Sequence, residues 1–374
     1  MNKYFFIIIA IYFQDTFFSI REFKYFLFFR TIIFILLGIE SVYYFLIYKK
    51  KKKKKLYLKF IVIFSFYVIY FMNFFTSKSI VIFLYLCILM ILNEEDKEEI
   101  YEIFYKIISF LCFTGIISYM LYIYIRPLNY EILPTVKNGW VFIRYLGVLI
   151  LKNSNNLLYR FQSIFGEPGE LGTIIGMIFL FDDNYKKLKK ERIILIISGI
   201  LTFSLAFYAF LSLKFIISEI RIKNKFFIFI LFLIFAITIN PLIKNIGGGE
   251  LYYRVYGRIK TLNFNRKNNN AKLVLKEFYK NGNLLIGTRE NINKKVNLDI
   301  SSIEVILYER GFLGLGILIL FIFFISNFFY VKNKIKLRIL IFLLSIYQRP
   351  NLLHTVYLLI LITGISYSNK YYKK

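Results

Sequence analysis

YRFQSIFGEPGELGTIIGMIFLF, residues 159–181, sets an arginine (Arg160) a few positions ahead of a Gly-Glu-Pro-Gly-Glu turn and then runs into an unbroken apolar segment. Pro168 suits the first position of a helix, where a missing N–H costs nothing. Glu170 falls in the first turn, where a carboxylate matches the positive end of the helix dipole. A bent, polar approach therefore delivers Glu167 and Arg160 to the mouth of an apolar helix. Ordinary capping at a membrane surface explains the same residues, and only the rest of the chain can weigh the two readings.

Working outward, apolar runs recur at about 4–20, 25–48, 56–75, 79–92, 103–125, 166–181, 193–218, 226–243, 303–330 and 339–367. Hydrophobic residues make up 58% of the 374 and aromatic ones 20%, too much apolar surface for a water-soluble fold to cover. Runs of roughly 20 residues match the bilayer, so the expectation is an all-α, polytopic integral membrane protein with about 10–12 membrane-crossing helices. We read residues 1–374 as one transmembrane domain. Lys3 precedes an apolar run without a small-residue cleavage site, which reads as a retained first span.

A net charge of +28 would suggest nucleic acid in a soluble chain, but the lysines here lie between apolar runs and no nucleic-acid partner is expected. The seven lysines at 49–55 belong on the cytoplasmic side by the positive-inside rule. Counting on from them puts 93–102 and 186–192 inside and 126–165 outside, as a first outer loop. The basic stretches 186–192 and 221–225 can share one side only if 193–218 is a hairpin of two short helices turning near 202–204. Residues 244–302 then form a large basic outer loop, and 332–338 lies inside. The final run must bend at the Gln-Arg-Pro-Asn of 348–351, returning the tail 370–374 to the inside.

Within the large loop, Ala271, Val274, Leu275 and Phe278 follow i, i+3, i+4, i+7. That spacing predicts an amphipathic helix over 271–280, lying on the membrane or capping a cavity and ended by the Asn-Gly-Asn of 281–283. Arg254 and Arg258 are four apart, so in a helix both guanidinium groups point one way. With Tyr252, Tyr253 and Tyr256 they would clamp a diphosphate, although a basic face drawn to lipid headgroups has the same composition. Arg289 adds to the same basic loop.

Glu304 and the pair Glu309-Arg310 enter the next apolar run, where ionisable groups are expensive and raise a functional hypothesis. Arg349 at the proline break and His354, one turn into the last span, raise the same one; snorkelling or packing in pairs is the plainer alternative. His354 titrates near neutrality and could act as a base. No phosphate-loop signature follows Gly247-Gly248-Gly249, and Gly172 with Gly176, like Gly314 with Gly316, reads as close helix packing. Cys87 and Cys112 lie in apolar runs, so neither a disulfide framework nor a metal site is expected. Asp182-Asp183 is followed by lysines and reads as cytosolic rather than as a metal–nucleotide motif.

RFQSIFGEPGELG with its following span resembles the R-x-G/x-F-x-E-P-x-x-L/F-G region of bacterial O-antigen and capsular polysaccharide polymerases of the Wzy type. LTFSLAF resembles that family's Thr-x-Ser segment, except that Leu205 stands where the family carries an arginine. LLIGTRENIN…SSIEVILYERGFLGLGI resembles the G-x-G…(H/S)(N/S)…E-x-G-x-x-G stretch closing the large outer loop. The resemblance covers about residues 159–320. It implies a GT-C-like glycosyltransferase of the bacterial inner membrane, needing neither metal nor other cofactor, that polymerises undecaprenyl-diphosphate-linked oligosaccharides at the outer face. On that reading the candidates are Glu167 and Arg160 at the chemistry, with Arg254, Arg258, Arg289, Glu304, Arg349 and His354 holding substrate.

A ligase of the same superfamily is the nearest rival, but ligases rely on a histidine in the large outer loop and this loop has none. A lipid-linked oligosaccharide flippase is the rival from another class, disfavoured by the lack of two related halves. A chain-length regulator as a further partner is left open.

Overall fold

The computed structural model describes residues 53–71, 77–125, 131–132, 141–145, 148–152, 161–183, 187–218, 269–296, 303–347 and 352–373, with isolated positions in 1–52. The expected spans at 4–20, 25–48 and 226–243, and Arg160, Arg254, Arg258 and Arg349, lie outside the described residues. The described elements are helical apart from one small sheet. They are α1 (Lys53–Phe71), α2 (Ser77–Ile91), α3 (Glu94–Ile125), α4 (Pro168–Phe181), α5 (Lys189–Leu201), α6 (Leu205–Ile217), α7 (Asn269–Asn281), α8 (Ile292–Val296), α9 (Ile303–Ile325), α10 (Asn333–Leu344) and α11 (Thr355–Lys373).

The sheet departs from the all-helical expectation. It is an antiparallel meander of β1 (Glu131–Ile132), β2 (Val141–Tyr145) and β3 (Val148–Lys152), inside the predicted first outer loop. Its sequence is β-branched and aromatic, and Tyr145 pairs with Val148, the register of a tight hairpin.

The chain divides into two compact units. One contains α1, α2, the start of α3 and everything described from α7 onward; the other contains the rest of α3, the sheet and α4–α6. Among the described residues, two helices are long and apolar enough to cross a bilayer, over Glu94–Tyr122 and Ile303–Ile325. On α3 the residues Phe110, Phe113, Ile117, Met120 and Tyr124, at alternating steps of three and four, are all exposed. A continuous apolar stripe of that kind wants a non-aqueous neighbour.

Several boundaries fall where the sequence places them. The run 193–218 is indeed two short helices, α5 and α6, joined at Thr202–Phe203–Ser204. The last run is likewise two helices, α10 and α11. Residues 94–102, by contrast, are not a connection between runs. They are the opening turns of α3, because Asn93 Oδ1 accepts the Asp96 N–H at 2.7 Å and three acidic residues fill the first turn. In the first unit α1 packs on α9 through the stacked rings of Phe66 and Phe321, 3.5 Å between centroids. Arg338, read as part of a cytoplasmic basic cluster, is instead 2% exposed on α10 and donates to Ser368 Oγ of α11 at 3.1 Å.

Candidate functional site

α9 is broken at Gly311, whose φ of 63° and ψ of −169° lie in a region open almost only to glycine. A continuous helix would pair the Phe312 and Leu313 N–H groups with the Tyr308 and Glu309 carbonyls. Both bonds are open here, and a loop segment fills the gap. Thr288 and Arg289 donate their N–H groups to the Tyr308 and Glu309 carbonyls at 2.7 and 3.0 Å. Phe312 and Leu313 donate to the Leu284 and Leu285 carbonyls at 2.9 and 3.0 Å. All four freed backbone groups are satisfied, which is what lets an apolar helix break.

The loop is shaped for this clasp. Asn283 Oδ1 accepts the N–H groups of Leu285 and Ile286 at 3.0 and 3.2 Å, and the Gly287 N–H returns to the Asn283 carbonyl at 2.8 Å. Gly287 has φ +79°, and a Cβ there would meet the backbone nitrogens of Arg310 and Gly311 at 2.6 Å. Thr288 Oγ1 bonds the Tyr308 carbonyl at 3.1 Å and accepts the Glu290 N–H at 3.2 Å. The Gly-Thr-Arg-Glu and Glu-Arg-Gly segments quoted above are therefore two sides of one joint.

Glu309 and Arg310 sit at the joint. Arg310 Nη1 meets Glu309 Oε2 at 3.0 Å, and the two side chains are 15% and 6% exposed respectively. Arg310 Nε also donates to the Tyr70 carbonyl at 3.1 Å, with the guanidinium 4.3 Å over the Tyr70 ring. Tyr70 belongs to the last turn of α1, so the arginine caps a helix C-terminus while stacking on an aromatic face. Gly314 makes room for it: a Cβ there would press on the Arg310 side chain, whose Cγ and Cδ lie at 3.3 and 3.4 Å. The sequence flagged the ion pair; the Tyr70 partner, 240 residues away, had no signal in it.

α7 forms as its periodicity predicts, and its apolar face packs inward. Leu275 and Phe278 join Ile292, Val296, Val305 and Tyr308 in one cluster under α7 and α8. Tyr279 bonds the Glu304 carboxylate, and its phenol is pushed up by burial and then by that charge. Glu304 therefore pins α7 to α9. Lys295 reaches both Tyr308 OH and Glu290 at 3.3 Å, which hold its ammonium above the usual lysine range. Arg289 has φ 59° and an exposed side chain beside the clasp. His354 lies just ahead of α11 rather than one turn inside it. Its carbonyl accepts the Leu358 N–H at 3.0 Å, and its ring stacks on Tyr357.

The second unit holds the Gly-Glu-Pro-Gly-Glu approach. Glu167 occupies the N-cap of α4 in extended conformation, Pro168 opens the helix and Glu170 sits in its first turn, as the sequence predicts. Every residue of α4 is buried. The pair Gly172 and Gly176 is the packing face: a Cβ at Gly172 would collide with the Ser204 side chain, and one at Gly176 with Phe210. Ser204 Oγ lies 3.5 Å from the Gly169 carbonyl, and Thr202 Oγ1 accepts the Ser204 N–H at 3.2 Å, so the Thr-x-Ser turn rests on the start of α4.

At the other end of α4 stand the two aspartates that the sequence reads as cytosolic. Asp182 and Asp183 are not solvated; they are 2% and 5% exposed. Arg192 of α5 meets Asp182 at 2.9 Å and Tyr105 of α3 donates to the same carboxylate at 3.1 Å. Lys214 of α6 meets Asp183 at 2.7 Å and the Leu180 carbonyl at 3.3 Å. Burial raises the Asp182 carboxyl above its ordinary range, and Arg192 opposes that rise.

Among the described residues no cluster of three or more metal-ligating side chains occurs. No family model, curated protein or solved structure matches the chain.

Proposed function

We propose that the chain is a multi-pass enzyme of the bacterial inner membrane that polymerises undecaprenyl-diphosphate-linked oligosaccharides at the outer face. The observation that carries this reading is the clasp. The two motif halves that resemble the polymerase block are backbone-bonded to each other at a broken apolar helix, and Arg289 stands in the bonded loop itself. Broken apolar helices with satisfied backbone groups are where membrane proteins build polar sites.

In this reading the growing chain leaves its lipid diphosphate and is transferred to a hydroxyl of a new lipid-linked repeat. Positive charge stabilises the departing diphosphate, the role assigned to Arg160, Arg254, Arg258 and Arg289. Glu167 orients Arg160 or takes the proton of the attacking hydroxyl. Glu167→Gln is expected to lower polymerisation about 100-fold or more if Glu167 is the base, and an unchanged product ladder removes that role.

The broken α9 also favours a second reading, a carrier of lipid-linked oligosaccharides, since carriers use discontinuous helices. Lipid-linked and surface polysaccharide from a strain lacking the gene separates the readings on one gel. Loss of the long-chain ladder with single repeats still reaching the surface supports the polymerase. Long chains held on the lipid carrier indicate a ligase, and single repeats trapped on the cytoplasmic side indicate a carrier. An unchanged profile ends the glycan reading.

A further inference from the structure

We infer that α4, α5 and α6 form a re-entrant element whose upper end stops inside the bilayer, so that Glu167 faces a water-filled recess opening to the outer side. The inference rests on the membrane reading above and adds to it the depth of the site. Helix α3 supplies the ruler, because it touches the element at successive levels. Tyr105 bonds Asp182 at the base, and Ser109 donates to the Glu191 carbonyl at 3.3 Å. Higher up, Ser163 Oγ donates to the Leu111 carbonyl at 2.9 Å, a Cβ on Gly115 would press on Ser163 and Phe161, and the Tyr119 ring meets Phe161 at 5.7 Å. Phe161 in turn donates its N–H to the Leu201 carbonyl, at the tip of the α5–α6 hairpin, at 3.1 Å.

At 1.5 Å per residue, Gly115 and Tyr119 lie about 15 and 21 Å above Tyr105 along α3, and Tyr124 about 29 Å. The hydrocarbon core is about 30 Å thick. The hairpin tip and the non-helical residues 161–167 therefore end between half and two-thirds of the way across. The lengths of the three helices agree: 14, 13 and 13 residues give about 20 Å each, too short to span.

Non-helical backbone at that depth persists only in protein or against water. Phe161, Gln162, Ser163 and Phe165 are buried in protein, but Glu167 is partly exposed, and a carboxylate at mid-depth cannot face lipid. Gln162, 1% exposed, leaves its amide nitrogen without a hydrogen-bond partner among the described residues. In the reading above the ligand is a lipid-linked sugar, whose hydroxyl oxygens can accept from that amide.

Single cysteines at Glu167 and at the partly exposed Ile164, in the otherwise native chain, test this with a charged, membrane-impermeant thiol reagent added from outside to intact spheroplasts. Cys87 and Cys112 are buried and give the background. Both new cysteines are expected to react about tenfold or more faster than that background, and soluble sugar should slow them. Reaction at either position only with a lipid-soluble reagent, or only from the cytoplasmic side, overturns the recess. Tyr124→Cys and Lys187→Cys keep the two ideas apart: if they label from the same side, the membrane reading has failed, whereas opposite sides with an inert Glu167→Cys and Ile164→Cys sink only the recess.

Discussion

Gly311 and Gly316 stand five residues apart in one apolar run, yet they do different things. At Gly311 the backbone lies where side chains are excluded and the Leu285 carbonyl sits against the missing Cβ; at Gly316 nothing lies within 4 Å of one. Gly311→Ala is expected to destabilise the purified protein by about 1–3 kcal/mol from backbone strain alone, with the collision added to it. Gly316→Ala removes only a helix-weakening glycine and should be neutral or stabilising by up to about 1 kcal/mol. Thermal melts of the two variants in detergent check this, and equal melting temperatures would contradict the clasp. Spacing alone cannot separate these glycines, since both read as small residues in an apolar helix; the distinction is made by a loop more than twenty residues upstream.

At the scale of elements, short helices here are held by their ends. α4 is clamped at its C-terminus by two buried ion pairs, and Lys214→Met should leave Asp183 buried without its cation, a loss of about 3–5 kcal/mol. Pairing it with Asp183→Asn is expected to recover much of that loss, which a double-mutant cycle on denaturation midpoints would measure; additive losses would mean the pair is not coupled. Much at this scale was legible in the chain. Pro168 and Glu170 mark the start of α4, the two basic flanks force the α5–α6 hairpin, and Leu275 with Phe278 gives the buried face of α7. The buried aspartates were not legible, because adjacent acids before a lysine run look solvated. What buries them is a pair of cations 10 and 31 residues onward, on two different helices. The strands β2 and β3 escaped notice for another reason: a short apolar alternation is masked in a sequence already saturated with Ile, Phe and Tyr.

At the scale of the molecule, the apolar stripe of α3 is a statement about surroundings. Phe110 and Tyr124, 64% and 83% exposed, bound a face that water would not tolerate along its length. The protein is therefore expected to stay with the membrane pellet after alkaline carbonate extraction. Ile117→Lys, near the middle of the stripe, should lower insertion of this helix by about 3 kcal/mol, read as loss of protease protection at its outer end. Retention of full insertion would place that face against protein. The helical class and the amphipathic α7 followed from composition and periodicity, whereas the pairings that close each site join residues too distant in sequence for any local pattern to report.

The clasp also bears on how the chain is made. Residues 284–289 leave the ribosome before α9 does, so in the membrane reading proposed above the template that opens the helix at Gly311 is already synthesised when α9 is handed to the bilayer. Were the order reversed, the span would enter first as a continuous rod and two backbone bonds would have to be broken in lipid to admit the loop. Chain order thus has the loop made before the helix that it interrupts.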